Sequence, residues 1–475
     1  MTVTRTSAPT TPVTTARNGL DGVLARPGDP RYDEAVATYN LASPLHPSAA
    51  LTARSTDDVV AAVRAARRAG LAVRSQSTGH GAGSQASLDG TVLVRTALDV
   101  PVRVDPDART AHVPAGATWA DVVTAAEPYG LAALHGSSPT VGVVGNVLGG
   151  GISFYGRGHG VAANHVRSIT LVLADGRPVV ADADHEPELF WALRGGGGGF
   201  GVVTEIEVEL IEMTAVVTGG TFWDASDAAV VATLWEAWTA AAPTAATTSL
   251  RLMNLPPLPG VPPMITGRQV LVLDGAVQVP RAADLDLAHR VVADLLEPLR
   301  AAATPVLDTW HVASPSRLTL THLDPPDPIP YRGEHALLHP LGAAGVARFV
   351  EAAGPGSGTT IVSAELRQLG GAFAAPERPG GAFDCTDAAF AYVGLGLATP
   401  DGAGATADDL ARIAVATGPW RTGFTAPTFV EGRTQPQRTF DDATVARVDA
   451  VRRTVDPDGV FAGGVAPVVD RPAAA

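Results

Sequence analysis

Apolar positions along this chain follow two periods in turn. From Asp57 to Ala69 they recur at helical spacing behind Ser55-Thr56, hydroxyls suited to capping a first turn, and Gly70 closes the segment. Leu71-Ala72-Val73 then predicts a short buried strand, as do Val92-Leu93-Val94, Val102-Arg103-Val104 and the stretch 111–116. A helix over 118–129 is predicted to stop at Gly130, and the strand 169–173 runs into an Asp175-Gly176 turn from which Val179-Val180-Ala181 returns as a hairpin partner. The apolar helix 189–194 leads into five glycines, 195–199, and then into a strand that alternates to Glu209. A flexible linker would be polar; these glycines join an apolar helix to an apolar strand with no serine between them, as expected where backbone lies against a ligand or another loop.

Beyond Met213 the texture changes, and a domain boundary is placed there. Proline-rich punctuation at 255–260 and 324–330 separates strands at 270–273, 360–366 and 390–393 from helices such as 283–299, which reads as an antiparallel sheet covered by helices. A helix over 441–455 leads into the turn Asp456-Pro457-Asp458-Gly459. No internal repeat or heptad run is visible.

The 475 residues, 46% apolar and 17% charged, suffice for more than one core. A net charge of −14 argues against nucleic acid or an anionic membrane surface as the main partner and favours a small molecule. Cys385 stands alone, which excludes an intrachain disulfide or a cysteine zinc cluster; we expect it to be a small buried residue. Residues 1–16 and 466–475 are expected to be tails. With no secretory core and no stretch of roughly 18 uncharged apolar residues, a cytoplasmic protein is expected.

The candidate chemistry begins at His80. It sits between glycines in Ser77-Thr78-Gly79-His80-Gly81, and about sixty residues on a second loop, 136–145, leads into Gly149-Gly150-Gly151. Two loops built for close backbone approach suggest one large, phosphate-bearing ligand. A Rossmann site is disfavoured because the glycines at 195–201 follow a helix rather than opening one. Among His311, His322, His335 and His339 only the last two have i, i+4 spacing, and no carboxylate lies between them, so no metal site is expected.

These loops, with Arg157, the segment 160–164, the segment 191–204 and the segment 456–461, resemble in order and over nearly the whole chain the berberine-bridge-enzyme-like flavoprotein oxidases of the vanillyl-alcohol-oxidase superfamily. The resemblance implies an α+β fold. An FAD-binding domain of the PCMH type would comprise 17–213 with a C-terminal return at 425–465, and a substrate domain at 214–424 would be inserted between them. It implies that backbone N–H groups of Arg74, Ser75, Gln76, Ser77, Thr78, Gly79 and Gly81 hold the FAD pyrophosphate without needing a basic side chain. It implies further flavin contacts from Ser138, Pro139, Thr140, Val141, Gly142, Gly145, Asn146, Gly149, Gly150, Gly151, Gly201 and Val203.

His80 matches the family histidine bonded to the flavin 8α-methyl group. Ser138 stands where some members have a second, cysteine link, so a single covalent attachment is expected. Asn146 stands where histidine is common near the ribityl chain. The family chemistry transfers hydride from a substrate C–H to the flavin while a base takes a proton, and oxygen then reoxidises the flavin. Glu365, on one strand face with Ser363 and Arg367, is the first candidate for the base, its alternative being an ion pair with Arg367. Tyr392 on a neighbouring strand is the second, its alternative being a plain core aromatic, and Tyr155 and His135 are candidates to line the pocket. The expected reaction is oxidation of an alcohol, a sugar or a secondary-metabolite ring. A cyclase without net redox change and a non-catalytic flavin-binding protein are the alternatives.

Overall fold

The computed structural model describes residues 22–85, 87–255, 262–378, 380–399, 402–432 and 438–461. The predicted tails and most of the proline-rich stretch 255–260 lie outside them. Ser55 accepts from the Asp58 amide and Asp58 from the Ser55 amide, so the helix Thr56–Arg68 starts on a reciprocal cap, and Gly70 takes φ +67° past its end. Its apolar face, Val59, Ala62, Val63 and Ala66, packs on a parallel three-stranded sheet in the order Ala49–Ala53, Thr91–Thr96, Ala72–Gln76. Val460 and Phe461 enter the same core, and the Val73 amide donates to Val460 O at 2.7 Å, so the end of the described chain returns to its beginning.

A second, antiparallel sheet runs in the order Arg103–Asp105, Thr110–Pro114, Val202–Glu209, Val166–Val172, Pro178–Asp182. The glycines at 195–199 are packed by another part of the chain. A Cβ on Gly195 would lie 2.6 Å from the Phe383 side chain, and Arg452 donates to the carbonyls of Gly196 and Gly198 at 3.1 and 2.9 Å.

From Ala215 onward the chain builds an eight-stranded antiparallel sheet. The order is Leu307–Asp308, Ala215–Asp224, Gln269–Val279, Ala246–Asn254, Ser363–Gln368, Phe390–Leu397, Tyr331–Leu338, with His311–Ala313 also paired to Ala215–Asp224. Strand alternation gives this sheet two faces. Leu250, Leu252, Leu271, Leu273, Ala364, Leu366 and Tyr392 share one core with the helices Ala228–Thr239, Leu285–Ala302, Gly342–Ala353 and Ala403–Thr417. Residues of the other face, among them Val216, Ala276 and Ala391, join Phe154 and Val161 in the core of the second sheet. Arg157 fastens the two parts: it donates to the carbonyls of Ala246 at 2.7 Å and Ala242 at 2.8 Å, and to that of Leu369. Mixed helices with antiparallel sheets make the fold α+β, as expected.

Candidate active site

The two glycine-bearing loops meet. A Cβ on Gly142 would fall 2.2 Å from the Ser77 hydroxyl, so only glycine lets the second loop pass the first this closely. At the junction His80 Nε2 lies 3.0 Å from the Thr140 hydroxyl, which lies 3.1 Å from that of Ser138. Tyr39 stacks on the His80 ring with centroids 3.7 Å apart, and the Tyr331 hydroxyl donates to the His80 carbonyl at 3.2 Å. Burial pushes the His80 imidazole down to about 4, against the opposing pull of Asp324 and Thr140, so the ring is neutral at ordinary pH.

Backbone donors are available beside it. Among the described residues no acceptor meets the amides of Thr78, Gly79, His80 or Gly81. Arg74, Ser75 and Gln76 lie earlier, inside the strand paired with Leu93, Val94 and Arg95, and Gln76 Nε2 is occupied by the carbonyls of Ala35 and Ala37. The open nest is therefore the shorter stretch 78–81. Gly81 has only the Ser84 hydroxyl within 4 Å of a built Cβ and Gly145 has nothing. Gly149, Gly150, Gly151 and Gly201 are pressed instead against Thr428, Phe383, Ala162 and the Val172 carbonyl. Val203 is a buried strand residue paired with Leu171. Asn146 has both amide atoms engaged, accepting from Trp119 Nε1 at 3.2 Å and donating to Thr428 Oγ1 at 2.8 Å.

Facing this junction is a buried ionic network on the non-helical face of the large sheet. Register places Arg251 opposite Glu365, and Ser249 opposite both Arg367 and Asp274. Glu365 Oε1 accepts from Arg367 Nε at 2.6 Å and from the Ser249 hydroxyl at 2.8 Å. His322 lies between the carboxylates, with Nε2 3.3 Å from Glu365 Oε2 and Nδ1 3.1 Å from Asp274 Oδ2, and Arg251 pairs with Asp274. Burial works to raise the Glu365 carboxyl, but Arg367, His322 and Arg251 hold it well below the usual range. Burial and Arg251 work to lower His322, but Asp274, Glu365 and Asp324 leave it raised. Ser137 joins the network to the loops: its hydroxyl donates to Asp324 Oδ2 at 2.7 Å and lies 3.5 Å from Arg367 Nη2.

Sequence reasoning missed Arg251, Asp274 and His322 as partners of Glu365. Asp274 and Arg251 are each the single charge of a strand, and that was the available signal. Tyr392 requires a correction. It pairs in register with Leu366, so its ring lies on the helix-covered face against Phe349, opposite to Glu365. Cys385 is exposed, not buried as expected, and burial of its surroundings with Asp384 raises its thiol to about 11. Tyr155 is fully buried, edge-on to His135 at 5.6 Å, with no partner for its hydroxyl among the described residues. His335 is spent on backbone, accepting from the Ala426 amide at 2.9 Å and lying 2.6 Å from Tyr392 O. Among the described residues no group of three or more potential metal ligands is assembled.

Residues 47–182 match the FAD binding domain family. The chain is 33% identical over 215 residues to (R)-6-hydroxynicotine oxidase of Paenarthrobacter nicotinovorans, covering 45% of this chain and 47% of that protein. It thus spans about half the length of that curated relative. Its fold superposes on the BBE-like 1 protein of Physcomitrella patens with a TM-score of 0.78 at 20% identity, covering 94% of this chain and 97% of the other. The glucooligosaccharide oxidase of Acremonium strictum, described as carrying 6-S-cysteinyl, 8α-N1-histidyl FAD, superposes with a TM-score of 0.73 at 20% identity, covering 94% of this chain and 97% of the other. The residues present fit such a cofactor: an open run of amides for a pyrophosphate, a neutral histidine at the junction, and open space at Gly81 and Gly145. Residues 47–182 thus carry an FAD binding domain, in a chain that shares the fold of BBE-like proteins.

Proposed function

We propose that the protein is an FAD-linked oxidoreductase, with its flavin attached through His80 alone, that oxidises a small alcohol, sugar or secondary metabolite with oxygen as final acceptor. The observation that carries this reading is the meeting of a neutral His80, gripped by Thr140 and Tyr39, with the open amides of 78–81. When bound, FAD supplies a two-electron acceptor for hydride, which oxygen regenerates.

Thr78, Gly79, His80 and Gly81 would hold the pyrophosphate by their amides, while Ser138, Thr140 and Gly142 line the junction. His80 would be attached through Nδ1, since Nε2 lies against the Thr140 hydroxyl. Ser138 leaves the second attachment unmade, since a hydroxyl is a far weaker nucleophile than a thiolate. Phe154 and Phe429 sit under the Arg367 guanidinium, with centroids 4.9 and 5.3 Å away, and exclude water around the ionic network. Glu365 is the proton acceptor of that face, with Arg367 and Ser249 fixing Oε1 so that Oε2 is the atom available to move a proton.

The test is acid precipitation of the purified yellow protein with intact-mass measurement. It is paired with a peroxide assay over (R)-6-hydroxynicotine, glucose oligosaccharides and benzylic alcohols. One FAD of added mass together with peroxide from a panel member supports the reading; flavin left in the supernatant removes the covalent link, and no peroxide or oxygen uptake with any member removes the activity.

A further inference from the structure

His322 Nε2 is within reach of a donor-only group and an acceptor-only group at once, Arg367 Nη2 at 3.1 Å and Glu365 Oε2 at 3.3 Å. One nitrogen satisfies only one of them at a time. Protonated, it donates to Glu365 and opposes the guanidinium; unprotonated, it accepts from Arg367 and releases Glu365 Oε2. Nδ1 has no such choice. With Asp274 oxygens at 3.1 and 3.3 Å it keeps its proton, and Arg251 in turn fixes Asp274. The imidazole therefore exchanges one proton at one atom, and a partner is waiting in either state. The charged groups facing it are Asp274 and Arg251 from two strands, Glu365 and Arg367 from a third, and Asp324 from its own segment.

This arrangement bears on Glu365. A carboxylate held well below the usual range does not keep a proton it has accepted, whereas a neighbouring imidazole raised above its ordinary value does. Resting on the reading that Glu365 is the proton acceptor, we propose that His322 Nε2 stores the substrate proton that Glu365 receives.

The substrate C–H bond breaks and its electron pair leaves with hydrogen as hydride to FAD. The X–H bonding pair, X being oxygen or nitrogen, becomes the second bond of the C=X product. The X–H proton passes to Glu365 Oε2 and from there to His322 Nε2, freeing Arg367 Nη2 from the imidazole on the side where Ser137 lies at 3.5 Å. Oxygen then takes the two electrons, and the stored proton leaves with the hydride's hydrogen as hydrogen peroxide. His322 is a positioning and proton-storing residue that acts through Glu365.

The test needs no substrate in its first arm. Holoenzyme labelled with 15N-histidine is titrated by NMR from about pH 5 to about pH 10. His322 is identified as the resonance that both Asp274→Asn and Glu365→Gln move. The expected result is an Nδ1–H neutral form that protonates at Nε2 with a midpoint above 6.5, lowered at least about tenfold in proton affinity by Glu365→Gln. A histidine doubly protonated or neutral across the whole range, or a midpoint indifferent to Glu365→Gln, overturns the proposal.

In the second arm, anaerobic flavin reduction by the best panel substrate rises with pH through the same midpoint, and His322→Gln abolishes that limb. A limb that persists in folded, flavin-loaded His322→Gln, or a flat wild-type profile, also overturns it. Loss of reduction in Glu365→Gln without a change of limb in His322→Gln sinks the storage role alone. Unchanged reduction in Glu365→Gln sinks the underlying assignment of the base.

Discussion

His80 Nε2 and the Thr140 hydroxyl are 3.0 Å apart, so a residue sixty positions downstream selects which ring nitrogen stays available. His80→Ala removes the proposed attachment atom, and the acid-precipitated variant is expected to be colourless and lighter by one FAD. Thr140→Val keeps the shape and loses the hydrogen bond. Attachment in that variant is expected to slow by about fivefold, a net bond being worth about 1 kcal/mol, as followed by the mass of apoprotein incubated with FAD. Equal rates for Thr140→Val and the unaltered protein would show that Tyr39 stacking alone orients the ring.

Gly79 holds the turn that presents His80. Its φ is +79°, and a Cβ there would lie 2.7 Å from Thr38 Cα, a backbone atom with nowhere to retreat. Gly79→Ala is therefore strained in both conformation and contact. The expected outcome is a soluble protein with FAD occupancy reduced several-fold, read from the ratio of flavin to protein absorbance. Gly90→Ala serves as the control. Its φ of +67° carries the same backbone strain, but it has nothing within 4 Å of the added carbon, and full loading is expected.

Arg367 and Glu365 stand or fall together. Both are nearly inaccessible, and Arg367→Leu strands the Glu365 carboxylate without its main cation, a change expected to cost about 3–5 kcal/mol in chemical denaturation. Arg367→Leu combined with Glu365→Leu removes both charges and is expected to recover much of that loss. Glu365→Gln keeps the volume and most hydrogen bonds, so its flavin spectrum is expected to stay intact while flavin reduction by substrate falls about 100-fold. A fall in stability without a fall in reduction rate would make the pair purely structural.

The sequence was most legible where a function rests on local chain geometry. His80 between two glycines and the caps of Thr56–Arg68 are set by residues within a few positions of one another, and both appear in the structure as read. The ionic network was legible only in part. Glu365 and Arg367 share a face by simple alternation, but Asp274, Arg251 and His322 reach them through strand register and a segment more than forty residues away, and register is set by the whole sheet. Tyr392 fails as a second base for the same reason, and its other reading, a core aromatic, holds. Its strand was identified correctly, but which parity faced the helices depended on its pairing with Leu366. Tyr39, stacked on His80 from forty-one positions upstream, carried no motif at all.

His135 gives the clearest pH dependence. Its ring is fully buried, Nδ1 lies 2.6 Å from the Gly136 carbonyl, and Nε2 has no partner among the described residues. Burial pushes it down to about 4, the Gly136 carbonyl resisting, from an ordinary 6.5. Between those values the unfolded chain binds a proton that the folded chain refuses, so stability is full above about 6.5, declines on acidification and levels off below about 4. A depression of that size corresponds to roughly 3 kcal/mol at the acid end. His135→Phe keeps an aromatic ring against Tyr155 and Trp119 while abolishing the titration. It loses the bond to Gly136 and is expected to melt somewhat lower at pH 8. The drop in melting temperature between pH 8 and pH 5 is expected to be smaller than in the unaltered protein. An identical drop in both proteins would assign the acid sensitivity to other groups, with His335 next in order, since burial holds it at about 4 as well.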